Sequence, residues 1–320
     1  MILPGLGRGQ PSGRPSVLRR FAPSIPLLGA SLAVLLAACG GHTAAGPTVP
    51  TVPTPAPTPP PPPKVAILSV DGLRGDAPTQ TPTPNIYGLT RRGAYTWKAQ
   101  TVYPSMTLPA HTSMLTGFLP TDHHVLWDTF DATKPNCTVP TVFEIAHEAG
   151  LRTVLVAGKD KFRHLEISGT IDSFLLIKLG DVEIANQAIV QAQAGFDLMF
   201  VHFPDVDIVG HAKGWMSAPY LEQLAVADGA IGRLLSALPP ETTVIVTSDH
   251  GGKATIHGST IPEDMTIPWI VAGPRIPGRG RELRTSVRTV DTAATALFVL
   301  GLPSPRTASG VVVSEAFSAE

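Results

Sequence analysis

The acids and histidines of this 320-residue sequence collect just after its apolar runs. Asp71-Gly72 follows the run Lys64–Val70. Asp207 and His211 stand four residues apart in Phe203-Pro-Asp-Val-Asp207-Ile-Val-Gly210-His211, directly after the run Phe196–His202. Ser248-Asp249-His250-Gly251-Gly252 follows Thr243–Thr247, with His257-Gly258 a few residues on. Carboxylates mixed with imidazoles make a donor set that suits a divalent transition metal such as zinc. Adjacent Asp249 and His250 would point apart on a regular strand. The glycines after them let the backbone turn, so both can face one metal pair. A further segment, Tyr103-Pro-Ser-Met-Thr107-Leu-Pro109-Ala-His111, brings a hydroxyl. Pro109 is placed for the first turn of a helix. Thr107 then lies just before that helix's N-terminus, whose positive dipole end attracts anions. A threonine hydroxyl is a poor nucleophile at neutral pH, and metal coordination makes it a useful one. Taken singly, an Asp after a strand caps a turn and a Thr before a helix caps the helix. Together, in this order and phase, they are hard to explain as solvated loops.

These residues meet only if a scaffold presents them from one side. Lys64–Val70, Thr153–Gly158, Phe196–His202, Thr243–Thr247 and Trp269–Gly273 are continuous apolar runs. Such runs suit strands buried on both faces, as in a parallel sheet. Val142–Ala149, Val182–Ala194, Ala218–Leu238 and Val290–Leu300 have helical spacing, with Gly150 and Gly301 placed as C-caps. The alternation predicts an α/β fold, a layered α/β/α domain around a mostly parallel central sheet. In open α/β sheets ligands gather outside the carboxyl ends of the strands, which is where these acids and histidines fall.

Hydrophobic residues make up 43% of the chain and charged residues 15%, which excludes a wholly disordered or coiled-coil protein. Residues 1–63 hold four arginines, no acid and 15 of the 33 prolines. From residue 64 onward 20 Lys and Arg face 25 Asp and Glu, a formal charge of −5. A mildly acidic body does not suit a groove that neutralises phosphates, so no stable nucleic-acid partner is expected. Leu18-Arg19-Arg20 leads into the apolar run Ile25–Ala38, which is too short to span a bilayer comfortably as a helix. Basic, then apolar, then small is the order of a secretory signal, here over residues 1–39. Leu36-Ala-Ala-Cys39-Gly resembles a bacterial lipobox, which would make Cys39 a lipid anchor and the protein extracytoplasmic, in the periplasm or at the cell surface. Residues 40–63, rich in Pro and Thr, cannot build a core and read as an extended stalk. The catalytic domain then occupies 64–320. With Cys39 lipidated, Cys137 has no partner; it reads as a small loop residue, and no disulfide is expected.

The whole set resembles the alkaline phosphatase superfamily, in its branch of type I phosphodiesterases and nucleotide pyrophosphatases. The resemblance is carried by Val70-Asp71-Gly72, Pro104-Ser-Met-Thr107-Leu-Pro-Ala-His111, Thr116-Gly117, Asp207-Ile-Val-Gly-His211, Ser248-Asp249-His250-Gly251 and His257-Gly258. They occur in the family's order and cover the body from about residue 64 to the end. The resemblance implies an alkaline-phosphatase-like fold and a metal-dependent phosphoric ester hydrolase. It implies two divalent ions, zinc before manganese or iron. One would be held by Asp207, His211 and His257, the other by Asp71, Asp249, His250 and the hydroxyl of Thr107. It implies that Thr107 attacks phosphorus, that a phosphothreonine forms, and that water releases it. Phosphoryl transition states are loose, so such catalysis is mostly positioning and charge neutralisation. Asp205 reads as orienting its loop rather than binding metal.

One departure stands out. Many nucleotide pyrophosphatases carry Asn three residues after the nucleophile, where it bonds a phosphate oxygen; here that position is Ala110. The change weakens the case for nucleotides and leaves that oxygen to backbone N–H groups or another side chain. No long cap is inserted, so Val125–Pro140 and Asp160–Asp181 remain to shape a pocket. Trp127, Trp215 and Tyr220 read as packing rather than stacking platforms. His111 reads as packing on the nucleophile helix or orienting a neighbour. His123 and His124 read as loop residues, and His164, beside Lys161 and Arg163, as part of a solvated face. A phosphomonoesterase or phosphonate hydrolase of the same superfamily is the alternative within the enzyme class. A surface lipoprotein that uses the fold as a binding module is the alternative outside it. A sulfatase is disfavoured because no Cys or Ser stands at the nucleophile position.

Overall fold

The computed structural model describes residues 61–277 and 280–318. The expected signal over 1–39, the expected lipid site Cys39 and most of the expected 40–63 stalk lie outside the described residues. Among the described residues no helix is long and apolar enough to cross a membrane.

The strands are β1 (Lys64–Val70), β2 (Gly93–Gln100), β3 (Thr153–Ala157), β4 (Ser173–Leu176), β5 (Leu198–Phe203), β6 (Thr242–Thr247), β7 (Thr266–Ala272) and β8 (Arg281–Glu282). They form one sheet in the order β4-β3-β5-β1-β6-β7-β2-β8. β4, β3, β5, β1 and β6 run parallel. The run Trp269–Gly273, grouped above with the parallel strands, belongs to β7 and pairs antiparallel with β6. β2 pairs antiparallel with β7 in turn. β2, β4 and β8 have no counterpart among the apolar runs. β2 mixes Lys98 and Gln100 into its length, and β4 and β8 are four and two residues long.

Helices cover both faces, which is why β1 and β5 are apolar at nearly every position. Along β1, Val65 and Ile67 enter one core and Ala66, Leu68 and Val70 the other. The first core is closed by α2 (Thr107–Thr116), α4 (Val142–Glu148) and α9 (Asp291–Leu300), through Leu108, Phe143 and Leu297. The second is closed by α1 (Pro84–Arg92), α5 (Asp181–Ala194), α6 (Asp205–Lys213) and α7 (Ala218–Ala237), through Ile86, Ile184, Val206 and Leu224. Two short helices, α3 (Pro120–His123) and α8 (Pro262–Met265), lie in connections. The result is the layered α/β/α arrangement that the alternation implies. A capping box of Thr141 and Glu144 starts α4, and Gly301 at φ +75° ends α9, so local signals agree with the packing. Cys137, read as a loop residue, is 6% exposed and packs into the first core.

Candidate active site

The carboxyl ends of β1, β5 and β6 deliver the acids and histidines to one place. The N–H of Asp71 donates to Phe203 O at 2.9 Å, tying the β1 end to the β5 end. Gly72 then takes φ +69°, and a Cβ there would lie 3.0 Å from Asp207 Cα. Glycine alone lets this turn pass so close to α6. Asp207 lies in the first turn of α6 and His211 one turn on, with His211 Nε2 3.4 Å from Asp207 Oδ1. After β6 the chain leaves the strand, and Gly251 N–H donates to Asp264 O at 2.8 Å. The turn swings Asp249 and His250 together, with Asp249 Oδ2 3.3 Å from His250 Nε2. His250 Nε2 is also 3.4 Å from Asp71 Oδ1 and 4.0 Å from Asp207 Oδ1. His257 stacks on His250 with ring centroids 3.7 Å apart. Thr107 opens α2 and is buried. Lys159 links it to the acids: its ammonium lies 3.4 Å from Thr107 Oγ1, 2.7 Å from Asp71 Oδ2 and 2.6 Å from Asp207 Oδ2.

Backbone carbonyls settle the imidazole tautomers. Nδ1 of His250 faces Gly251 O at 2.7 Å, that of His257 faces Ser105 O at 2.8 Å, and that of His211 faces Thr255 O at 2.9 Å. A carbonyl only accepts, so each Nδ1 carries a proton, and in the neutral ring Nε2 keeps a lone pair for a cation. Nε2 of His211 and Nε2 of His257 are 3.1 Å apart. The buried atoms Asp71 Oδ1, Asp207 Oδ1, Asp249 Oδ2 and His250 Nε2 have no hydrogen-bond partner among the described residues. A buried polar atom left unpaired costs about 1–3 kcal/mol, and here four such atoms crowd together. Lys159 and His202 donate only to Oδ2 of Asp71 and Asp207, so the four unpaired atoms remain open to a divalent cation. Two trios have donor atoms within 4.8 Å of one another: Asp207 with His211 and His257, and Asp71 with Asp207 and His250. Asp207 belongs to both.

The same surplus of acceptors governs protonation. Burial pulls His250 down, but the carboxylates of Asp249, Asp71 and Asp207 outweigh it and push the imidazole up to about 10. Burial and then the Asp71 charge push Asp249 up to about 7. Burial would raise Asp71, but Lys159, His202 and His250 hold its carboxyl well below the usual range. Burial opposes the charge of Lys159, while Asp71 and Asp207 keep it protonated. These shifts express one demand, for positive charge inside the cage. Burial lowers His257 to about 4, so its Nε2 lone pair is free at neutral pH.

Several supporting residues have no place in the sequence reading. Lys159 follows β3 as Asp71 follows β1, and that position is its only signal. His202 sits inside an apolar run, where nothing marks it. Its Nδ1 accepts from Gly158 N–H at 3.2 Å, so its Nε2 donates to Asp71 Oδ2 at 2.7 Å. His111 does orient its neighbours. Nδ1 donates to Thr107 O at 2.8 Å, and Nε2 accepts from the Ser69 hydroxyl at 2.8 Å. Trp215 Nε1 and the Tyr220 hydroxyl both donate to Gly72 O, at 2.8 and 2.9 Å, so both are packing residues that pin the Asp71 turn. His123 is buried and accepts from Val125 N–H, within its own loop. His164 corrects the expectation of a solvated face. It is 1% exposed, lodged between Trp127 and Phe130, because the 125–140 loop folds over it. Lys161 pairs with Asp128 at 2.7 Å, and Asp128 accepts the N–H of Leu108, next to Thr107.

A family profile for type I phosphodiesterase / nucleotide pyrophosphatase matches residues 65–158 and 156–267. The chain belongs to this family. The family lies in the alkaline phosphatase superfamily. The catalytic subunit of human GPI ethanolamine phosphate transferase 2 is 26% identical over 273 residues, 77% of this chain and 27% of that protein. A 2,3-bisphosphoglycerate-independent phosphoglycerate mutase of Synechococcus sp. is 26% identical over 209 residues, 55% of this chain and 39% of the mutase. The chain thus spans between a quarter and two-fifths of the length of these relatives. Murine ectonucleotide pyrophosphatase / phosphodiesterase 5, an inactive form in complex with AMP, superposes with a TM-score of 0.69 at 15% identity, over 80% of this chain and all of that one. That likeness speaks for the fold.

Proposed function

We propose that the chain hydrolyses phosphoric esters with Thr107 as nucleophile, and that Asp71, Asp207, His211, Asp249, His250, His257 and the Thr107 hydroxyl hold two divalent cations, zinc before others. The observation that carries this reading is the convergence of four partnerless buried acceptors beside a threonine. When bound, the cations lower the pKa of the Thr107 hydroxyl and offset the charge of the phosphoryl group. The chain's own residues do the rest. Helix α2 sets Thr107 at a positive helix end. His111 fixes that first turn through Thr107 O. Lys159 offers its ammonium to a phosphoryl oxygen, the contact that Ala110 cannot make. Attack by Thr107 expels the leaving group and forms a phosphothreonine. Water then attacks phosphorus, releases phosphate from a monoester or a phosphate monoester from a diester, and the threonine oxygen regains a proton. Bis(para-nitrophenyl) phosphate and para-nitrophenyl phosphate, given to the metal-replete protein, separate diesterase from monoesterase. A Thr107→Ala protein as active as its parent sinks the nucleophile assignment.

The likeness to a transferase favours a second outcome for the same intermediate, transfer to an alcohol instead of water. An added alcohol acceptor that yields a new ester at the expense of free phosphate identifies that outcome. For location, we propose a lipid on Cys39 and a stalk over 40–63 that hold the domain outside the cytoplasm, on the strength of the sequence pattern. Cys39→Ala should move the protein from the membrane fraction to the soluble one; unchanged fractionation contradicts the anchor.

A further inference from the structure

With Thr107 as the nucleophile of a phosphoester enzyme, as proposed above, we infer that Asp128 is a specificity-determining residue, whose carboxylate disfavours the second negative charge of a phosphate monoester. Asp128 lies in the 125–140 loop, which follows α3 and returns to the start of α2. Its Oδ1 accepts the N–H of Leu108 at 2.7 Å, and its Oδ2 meets the Lys161 ammonium at 2.7 Å. The side chains of Asp128 and Lys161 are 24% and 15% exposed, so water screens them only in part. The start of α2 has few backbone donors to give an incoming anion. Pro109 has no N–H, and Ala110 N–H donates to Met106 O at 3.0 Å. Leu108 N–H remains, next to the nucleophile, and the chain's own carboxylate holds it.

Four covalent bonds separate Leu108 N from Thr107 Oγ1, so Asp128 Oδ1 lies within about 8 Å of the attacking oxygen. Lys161 does not cancel the charge felt there, because it binds the other carboxylate oxygen. The pair acts as a dipole whose negative end stands at the start of α2. At that distance one added negative charge on a substrate weakens its binding by about three- to thirty-fold, between the dielectric of bulk water and that of a protein surface. A phosphate monoester carries close to two charges at neutral pH, and a diester carries one. Lys159 attracts both, and Asp128 repels the doubly charged ester more strongly. A pocket that selects by size would instead discriminate by the second ester group, whatever the charge.

The test compares kcat/KM of the metal-replete protein for bis(para-nitrophenyl) phosphate, para-nitrophenyl phosphate and para-nitrophenyl methylphosphonate. The last is as small as the monoester and as singly charged as the diester. Asp128→Asn keeps an oxygen for Leu108 N–H and removes the charge, so it should fold and melt as the parent does. It should raise the monoester about three- to thirty-fold relative to the other two substrates. Lys161→Met leaves the carboxylate uncompensated and should move that ratio the opposite way. Inorganic phosphate, used as a competitive inhibitor of diester hydrolysis, should bind Asp128→Asn more tightly by a like factor. Ratios that stay within about twofold in Asp128→Asn would reduce the residue to a cap of α2. A methylphosphonate that follows the monoester would make size the criterion. Either result overturns the inference while phosphoester hydrolysis stands. A parent that turns over none of the three substrates overturns both.

Discussion

Lys159→Ala removes one ammonium from between two buried carboxylates. Its nitrogen lies 2.7 Å from Asp71 Oδ2 and 2.6 Å from Asp207 Oδ2, and the side chain is 18% exposed. Breaking a buried pair by deleting one partner costs about 3–5 kcal/mol, because the other charge stays behind. In a domain of this size each kcal/mol moves the melting temperature by about 2–4 °C, so the loss is about 6–20 °C. A divalent cation at a hundred times its dissociation constant restores about 2.7 kcal/mol. The melt should therefore fall further in chelator than in zinc. The effect on turnover is separate. An ammonium 3.4 Å from Thr107 Oγ1 is placed for a phosphoryl oxygen, and deleting one such preorganised donor lowers kcat by about 10²–10³-fold. Lys159→Arg should not restore the rate, since a planar fork does not replace a point donor among three oxygens. The assay is a steady-state comparison with bis(para-nitrophenyl) phosphate, beside melts in chelator and in zinc. A folded Lys159→Ala protein with kcat within about threefold of its parent refutes the substrate contact. A melt that moves by less than about 2 °C in chelator refutes the ion-pair argument.

Other outcomes follow from the same geometry. Thr107→Ala should lower kcat by about four orders of magnitude while metal content stays unchanged; loss of metal with activity would make Thr107 mainly a ligand. Gly72→Ala forces a side chain into φ +69° and against Asp207, so it should cost about 1–2 kcal/mol from the backbone alone and weaken zinc affinity as well. A titration with zinc unchanged by Gly72→Ala would contradict the role of that close approach. Burial lowers His123 from 6.5 to about 4. The unfolded chain binds the proton more readily between those values. This contribution to stability is therefore present above about pH 6.5 and lost as pH falls toward 4. His123→Gln should flatten the acid limb of melting temperature against pH; parallel limbs in both proteins would exclude this histidine as a cause.

The α/β/α layering and the cage were legible because both rest on local patterns. A strand buried on both faces must be apolar at every position, and Asp71, Asp207 and Asp249 each stand where such a run stops. The direction of β7 was not legible, since the run Trp269–Gly273 would look the same in either orientation. Lys159 and His202 escaped for a related reason. Their roles arise from the pairing of β3 with β5 and β5 with β1, which no short window contains. His164 looked solvated beside Lys161 and Arg163, and only the fold of the 125–140 loop buries it. The split of ligands between two ions came from family resemblance, and Asp207 lies within reach of both trios.

Metal analysis tests the central claim most directly. After saturation with zinc and removal of the excess, the account expects two divalent ions per chain in the parent and in Thr107→Ala. It expects a lower content in His250→Ala and the lowest in Asp207→Ala, whose carboxylate serves both trios. A zinc-saturated parent that retains less than about one ion per chain would contradict the two-metal cage.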